Sequence, residues 1–214
     1  MKRGLIWVII IVAVAVLLVF FVGGKRDLSK YNELVNPKIS DVPAQKMLVV
    51  EAKGDPNSVS KDAFGTLYKA FFALKSKGVK NLVPSAPRAR WLHMMDSNLG
   101  LTPKDQWVGK YALPIPEEVT EIPDVKPKAG ILVKTEKWQY GKVGEILHIG
   151  SYSSVGTSVT KLANFIKDSG YTITGDYEEE YLLGPESIFT KPAEYKTIIR
   201  YEIKEVKGKK QLTR

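Results

Sequence analysis

The sequence predicts an α+β domain in which a β-α-β-β unit occurs twice, giving an antiparallel sheet with two helices, preceded by one transmembrane helix. Three observations carry that prediction. Residues 5–22 (LIWVIIIVAVAVLLVFFV) contain no charge, amide or hydroxyl. Two stretches, 60–76 and 155–168, place apolar residues at helical spacing, and each is closed by a glycine, Gly78 and Gly170. Strand-like runs flank both stretches in the same order.

The apolar run comes first. As a helix rising about 1.5 Å per residue it covers roughly 27 Å, close to the hydrocarbon thickness of a bilayer. A helix is the form required there, because lipid offers the backbone no other hydrogen-bond partners. Lys2 and Arg3 precede the run, Gly23 and Gly24 end it, and Lys25 and Arg26 follow, with Trp7 and Phe20-Phe21 near the two interfaces. A cleaved signal peptide is the competing reading, but the run exceeds the roughly 7–15 residues of an h-region and no A-x-A-like site follows it. Its all-round apolarity argues against a buried core helix. Basic residues flank both ends, so charge bias gives no clean orientation, and a cytoplasmic position for the domain is only slightly favoured. The chain therefore divides into an anchor (1–24), a polar tether containing Pro37 (25–41), a domain (42–205) and a basic tail (206–214).

The formal charge is +9, from 32 Lys and Arg against 23 Asp and Glu. Such a balance attracts nucleic acid or an anionic leaflet. The basic residues are scattered, except for Lys204, Lys207, Lys209, Lys210 and Arg214, and no helix-turn-helix or zinc-finger pattern occurs, so nucleic acid is disfavoured as a partner. Two histidines, His93 and His148, without any cysteine do not make a metal site. With no Gly-rich phosphate loop and no nucleophile elbow, no cofactor is expected. The absence of cysteine fits either side of a membrane.

Within the domain, 46–53 (KMLVVEAK) reads as a strand ending at the turn Gly54-Asp55-Pro56-Asn57. The first helix follows, with Phe64, Leu67, Tyr68, Phe71, Phe72 and Leu74 at helical spacing. Residues 79–103 are mixed, and 106–115 reads as a strand. The second half repeats the plan with strands at 130–138 and 142–149, the turn Gly150-Ser151-Tyr152, and the helix at 155–168. Strands at 177–182 and 197–203 follow, separated by a loop bounded by Pro185 and Pro192. Two such units would pair their sheets and place both helices on one face, with a groove between the halves.

At this point the second half, GEILHIGSYSSVGTSVTKLANFIKDSGYTITGDYEEEYLLGP followed by TKPAEYKTIIRYEI, resembles the closing half of a gyrase-inhibitor-like (GyrI-like) small-molecule-binding domain. The pattern is a strand ending in H-x-G-x-Y, a helix, a Gly-Tyr turn, an E-x-Y-L strand, a Pro loop and a final strand. KMLVVEAKGDPNS, the aromatic-rich helix after it and the stretch ending at Trp91 are similar to the first half of that family. The resemblance covers about residues 42–203 and fits its stand-alone branch, without a DNA-binding partner domain. It implies a duplicated β-α-β-β fold of the SHS2 type with an aromatic-lined groove. In relatives fused to transcription regulators a buried carboxylate in that groove recognises cationic aromatic effectors. The E-x-Y-L motif falls on Glu179, Tyr181 and Leu182. Other relatives hydrolyse cyclopropane-containing natural products or bind a protein target, and fold alone does not choose among these.

The residues point the same way. In an alternating strand Tyr177, Glu179 and Tyr181 share one face and Glu178, Glu180 and Leu182 the other. A carboxylate between two tyrosines makes a cation site, in which rings attract the charge and the carboxylate fixes its orientation. The bland reading is a solvated acidic strand. Trp91, Tyr152 and Trp138 complete the candidate ligand-binding set, each weighed against plain core packing. The leading expectation is a membrane-anchored module that binds a cationic or apolar aromatic small molecule between two pseudo-repeats. The alternatives are a hydrolase of electrophilic small molecules, with Glu179 activating water, and a membrane-tethered adaptor for a protein partner.

Overall fold

The computed structural model describes residues 27–92, 103–122, 124–127, 130–185 and 190–206. The anchor segment 5–22, His93 and the tail beyond Val206 lie outside them. Among the described residues no helix is long and apolar enough to cross a membrane.

Among the described residues nine strands and two α-helices follow in the order β1 (Lys38–Val42), β2 (Gln45–Lys53), α1 (Pro56–Ser76), β3 (Arg88–Leu92), β4 (Val108–Pro114), β5 (Ile131–Trp138), β6 (Gly141–Ile149), α2 (Val155–Asp168), β7 (Tyr171–Ile173), β8 (Tyr177–Leu183) and β9 (Lys196–Glu205). The sheet order is β1-β6-β9-β8-β3-β4-β2-β5, with β7 added on β9, and every pairing is antiparallel. The duplication is visible in that order. The trio β2-β4-β3 of the first half meets its counterpart β6-β9-β8 at a single seam, where β3 pairs β8.

Both helices pack on one face of this sheet. Leu67 and Phe71 of α1 and Leu162 and Ile166 of α2 share a core with Leu48, Val50, Leu113, Ile146 and Ile199. We call this the front face. The turns that deliver the helices match across the halves. Gly54 and Gly150 precede them at φ 134° and 144°, and Gly78 and Gly170 close them at φ 79° and 84°. The last pair sits in the left-handed region, where a helix end finds glycine cheapest. Helix α1 begins at Pro56, earlier than its apolar spacing predicts. Asp55 caps the Asn57 N–H at 2.9 Å, and Pro56 gives up no donor that the first turn could use.

The segment expected as a tether, 25–41, is largely part of the fold. Residues Ser29–Val35 form a 3-10 turn, and β1 joins the sheet on β6. Leu34 is 5% exposed and packs with Leu147, Leu182 and Ile198 on the back face. A single buried apolar side chain in a polar stretch leaves no periodicity to read. Strand β3 falls in the stretch 79–103 that reads as mixed, and β7, three residues long, is too short to read as a strand from sequence. β1 and β2 are one bent strand: their ladder to β5 and β6 keeps the same register on both sides of Pro43-Ala44.

Candidate functional site

The site is organised by β8, whose sequence YEEEYLL is buried at six of its seven positions. A strand at the seam of a closed-in sheet must bury both of its faces, so alternation separates two environments rather than core from water. Tyr177, Glu179 and Tyr181 face the helices. Glu178, Glu180 and Leu182 face the back.

On the front face Glu179 is 9% exposed and accepts from three groups. The Tyr177 hydroxyl donates to Oε1 at 2.6 Å, the Tyr181 hydroxyl to Oε2 at 2.5 Å, and the Trp91 indole N–H to Oε2 at 3.4 Å. The cross-strand register that sets Ala89 opposite Glu179 and Trp91 opposite Tyr177 produces this cage. Among the described residues no cation pairs with Glu179. Burial, and then the neighbouring Glu179 charge, push the Tyr177 and Tyr181 hydroxyls well above the ordinary tyrosine range, and Tyr201 to about 12. The Tyr177 and Tyr181 phenols therefore stay protonated and keep donating.

Rings continue outward from the cage. Trp91 meets Tyr111 edge-on at 5.6 Å and Trp107 at 6.2 Å; Tyr177 meets Tyr201 at 5.6 Å. Phe64 of α1 packs on Tyr111 and Tyr181, and Tyr152, at the start of α2, packs on Tyr181 at 5.7 Å and on Tyr195. Phe64, Trp107, Tyr195 and Tyr201 are only partly buried and Tyr152 is 39% exposed, so the aromatic cluster runs from the carboxylate to solvent. Gly109 makes room for it, since a Cβ there would lie 2.8 Å from the Tyr111 ring and 2.9 Å from the Trp91 ring.

Of the six expected site residues, the structure brings together Glu179, Tyr177, Tyr181, Trp91 and Tyr152. Trp138 is a correction. It ends β5 opposite Gln45, on the back face with Met47 and Val49, and its N–H donates to Glu136 at 3.0 Å. Trp107, a candidate from sequence alongside Trp91 and Trp138, belongs to the cluster, whereas Phe64, Tyr111, Tyr195 and Tyr201 belong to it without having been singled out by sequence. Sequence spacing does not say which rings lie beside which; the strand pairing and helix packing do.

The back face corrects the solvated reading of the three consecutive glutamates. Glu178 is 2% exposed and Glu180 7%. Glu178 takes Arg90 Nε at 2.7 Å and Arg200 Nη1 at 2.7 Å, and Glu145 takes Arg200 Nη2 at 3.0 Å. Glu180 is held more loosely, with Arg200 Nη1 at 3.3 Å and Arg88 Nε at 3.4 Å, the latter near enough to pair as charges but not aligned as a hydrogen bond. Arg90 also stacks 4.1 Å over the Trp138 ring, and Arg88 donates to the Tyr140 hydroxyl at 2.6 Å. His148 is structural. Its Nε2 faces the Ser151 carbonyl at 3.1 Å and must carry the proton, leaving Nδ1 to accept from Ser158 at 3.0 Å. Among the described residues no cluster of His, Cys, Asp and Glu is arranged to hold a metal.

The fold is that of the GyrI-like effector-binding domains. No protein-family profile matches the chain, and no curated protein does. Solved structures do. An uncharacterized conserved protein from Listeria innocua superposes with a TM-score of 0.68 at 24% identity, covering 83% of this chain and 97% of that one. A protein described as a hydrolase from Listeria innocua gives 0.66 at 22%, covering 82% and 95%. The C-terminal domain of EcmrR gives 0.53 at 15%, covering 80% and 98%. At these identities the likeness speaks for the fold.

Proposed function

We propose that the chain is a membrane-anchored module that binds a cationic, aromatic small molecule at Glu179. The observation that carries this reading is a buried carboxylate held by three neutral donors, surrounded by rings, and lacking a cation of its own among the described residues. Burying such a charge is unfavourable unless hydrogen bonds or a partner offset it. The donors hold the carboxylate in place but leave its charge uncancelled, so a cation entering among the rings supplies the missing partner. Both carboxylate oxygens are already engaged, which favours a ligand attracted by field and ring faces over one that must donate its own hydrogen bond.

A hydrolase reading would use Glu179 as a base toward water. It is the weaker of the two, because the three cage bonds engage both carboxylate oxygens and draw on the electron density such a base would use. The similar structure described as a hydrolase shares the fold at 22% identity and does not reverse that preference.

The apolar run 5–22 would serve as the anchor. Leu28 and Tyr31 pack with Leu34 on the back face, so the chain joins the domain on the side away from Glu179. The six residue steps from Val22 to Leu28 span at most about 20 Å, which would hold the domain at the bilayer surface. The test is a thermal-shift screen of the full chain against cationic and neutral aromatic compounds, with Glu179→Gln and Trp91→Ala alongside. Cationic hits that lose their shift in both variants support the reading; hits insensitive to both place the site elsewhere.

A further inference from the structure

The two strands that build the cage carry a second charged set on their other side. Arg88 and Arg90 alternate with Ala89 and Trp91 on β3, and Glu178 and Glu180 flank Glu179 on β8. Arg88 lies opposite Glu180, and Arg90 opposite Glu178. With Arg200 and Glu145 they form a buried set of three arginines and three glutamates, in which each glutamate lies within 3.4 Å of an arginine; Glu202, one-third exposed, adds a fourth carboxylate at the rim, 3.7 Å from Arg90. The side chains of the buried set are 2–13% exposed. Burial alone would push Arg88 and Arg200 down, but the glutamates beside them hold both above the ordinary arginine value, so the set stays charged.

Balance matters here because of position. Glu178 and Glu180 are chain neighbours of Glu179, Arg90 is the chain neighbour of Trp91, and Arg88 lies opposite Glu180, one step further from the cage, in an interior where charges are weakly screened. A single unmatched arginine behind the sheet would oppose a cation in front of it, and a single unmatched glutamate would attract one. We propose that the back-face network is a specificity-determining element of the front-face site: by cancelling its own charges it leaves Glu179 as the net charge that the aromatic cluster presents. The inference rests on the reading of Glu179 as the cation-recognising group. The network residues touch no ligand and act through the field at Glu179.

A purely structural role predicts that any break in the network weakens binding. The electrostatic role predicts a sign. Full-length protein is titrated with tetraphenylphosphonium and, as a neutral comparator of similar apolar body, triphenylphosphine oxide. Glu180→Gln leaves the arginines in excess and weakens phosphonium binding by about three- to tenfold. Arg88→Gln leaves Glu180 with Arg200 alone and strengthens it by a similar factor, and the double variant returns to within about twofold of wild type. The oxide is bound equally by all four proteins. If Glu180→Gln does not fold, Glu202→Gln carries the same sign at a site one-third exposed and 3.7 Å from Arg90. Single variants that shift phosphonium binding in the same direction, or an oxide affinity that tracks the phosphonium, overturn the inference. Loss of cation preference in Glu179→Gln, with no sign difference between the network variants, defeats this inference alone. An unchanged preference in Glu179→Gln defeats the site itself.

Discussion

Glu179 is held by side chains that cannot ionise at neutral pH, and this gives the site a pH signature. Burial and then the Glu178 charge push the Tyr140 hydroxyl to about 12, as burial and Glu179 do for Tyr201. A folded-state pKa above the unfolded value of about 10 contributes stability that is fully present below pH 10 and lost as pH rises toward 12. Chemical denaturation between pH 8 and 12 is expected to show a flat profile to about pH 10 and a fall beyond it; Tyr201→Phe should make that fall shallower. A second prediction concerns Gly109. Its replacement by Ala drives a methyl group into the Trp91 and Tyr111 rings, and overpacking of this kind costs about 1–3 kcal/mol. Because Trp91 donates to Glu179, the same change should weaken ligand binding, whereas a change confined to stability would leave the affinity of the folded fraction untouched.

At the scale of elements, β8 explains what was legible in the sequence and what was not. The period-2 alternation places Tyr177, Glu179 and Tyr181 on one face from the sequence alone, and the structure agrees. That Glu178 and Glu180 are buried depends on Arg90 and Arg200, which lie 88 and 22 residues from Glu178, and no local pattern encodes those partners. Trp138 fell on the wrong face for the same reason: which face of β5 is the front depends on its register with β2. The helices were legible because their apolar stripes and closing glycines are local. β1 was not, because a five-residue edge strand with only partial burial has no stripe. Arg200 is the residue most deeply committed to the network. Arg200→Met strands Glu145 and weakens the hold on Glu178 and Glu180, and should cost about 3–5 kcal/mol in urea unfolding. The junction of α2 with β6 gives a further check. A Cβ at Gly144 would lie 2.7 Å from Ile166, so Gly144→Ala should lower stability by about 1–3 kcal/mol without changing ligand preference.

For the whole molecule, duplication supplies the logic. Two similar halves meet where β3 pairs β8, as well as along the ladder of β1 and β2 with β6 and β5, and the β3-β8 seam carries the cage in front and the ion network behind. The entering chain packs on the back, so an anchor at 5–22 and the site at Glu179 would lie on opposite sides of the sheet, and the ligand would be taken from the aqueous phase. On the proposed reading the charge of Glu179, and not merely the surrounding aromatic surface, selects the ligand. Isothermal titration of the full chain and of Glu179→Gln with tetraphenylphosphonium and triphenylphosphine oxide measures that claim as one number, the change in cation-over-neutral preference. We expect the wild type to prefer the cation and Glu179→Gln to lose about tenfold or more of that preference while binding the oxide unchanged. Equal preference in the two proteins would contradict it.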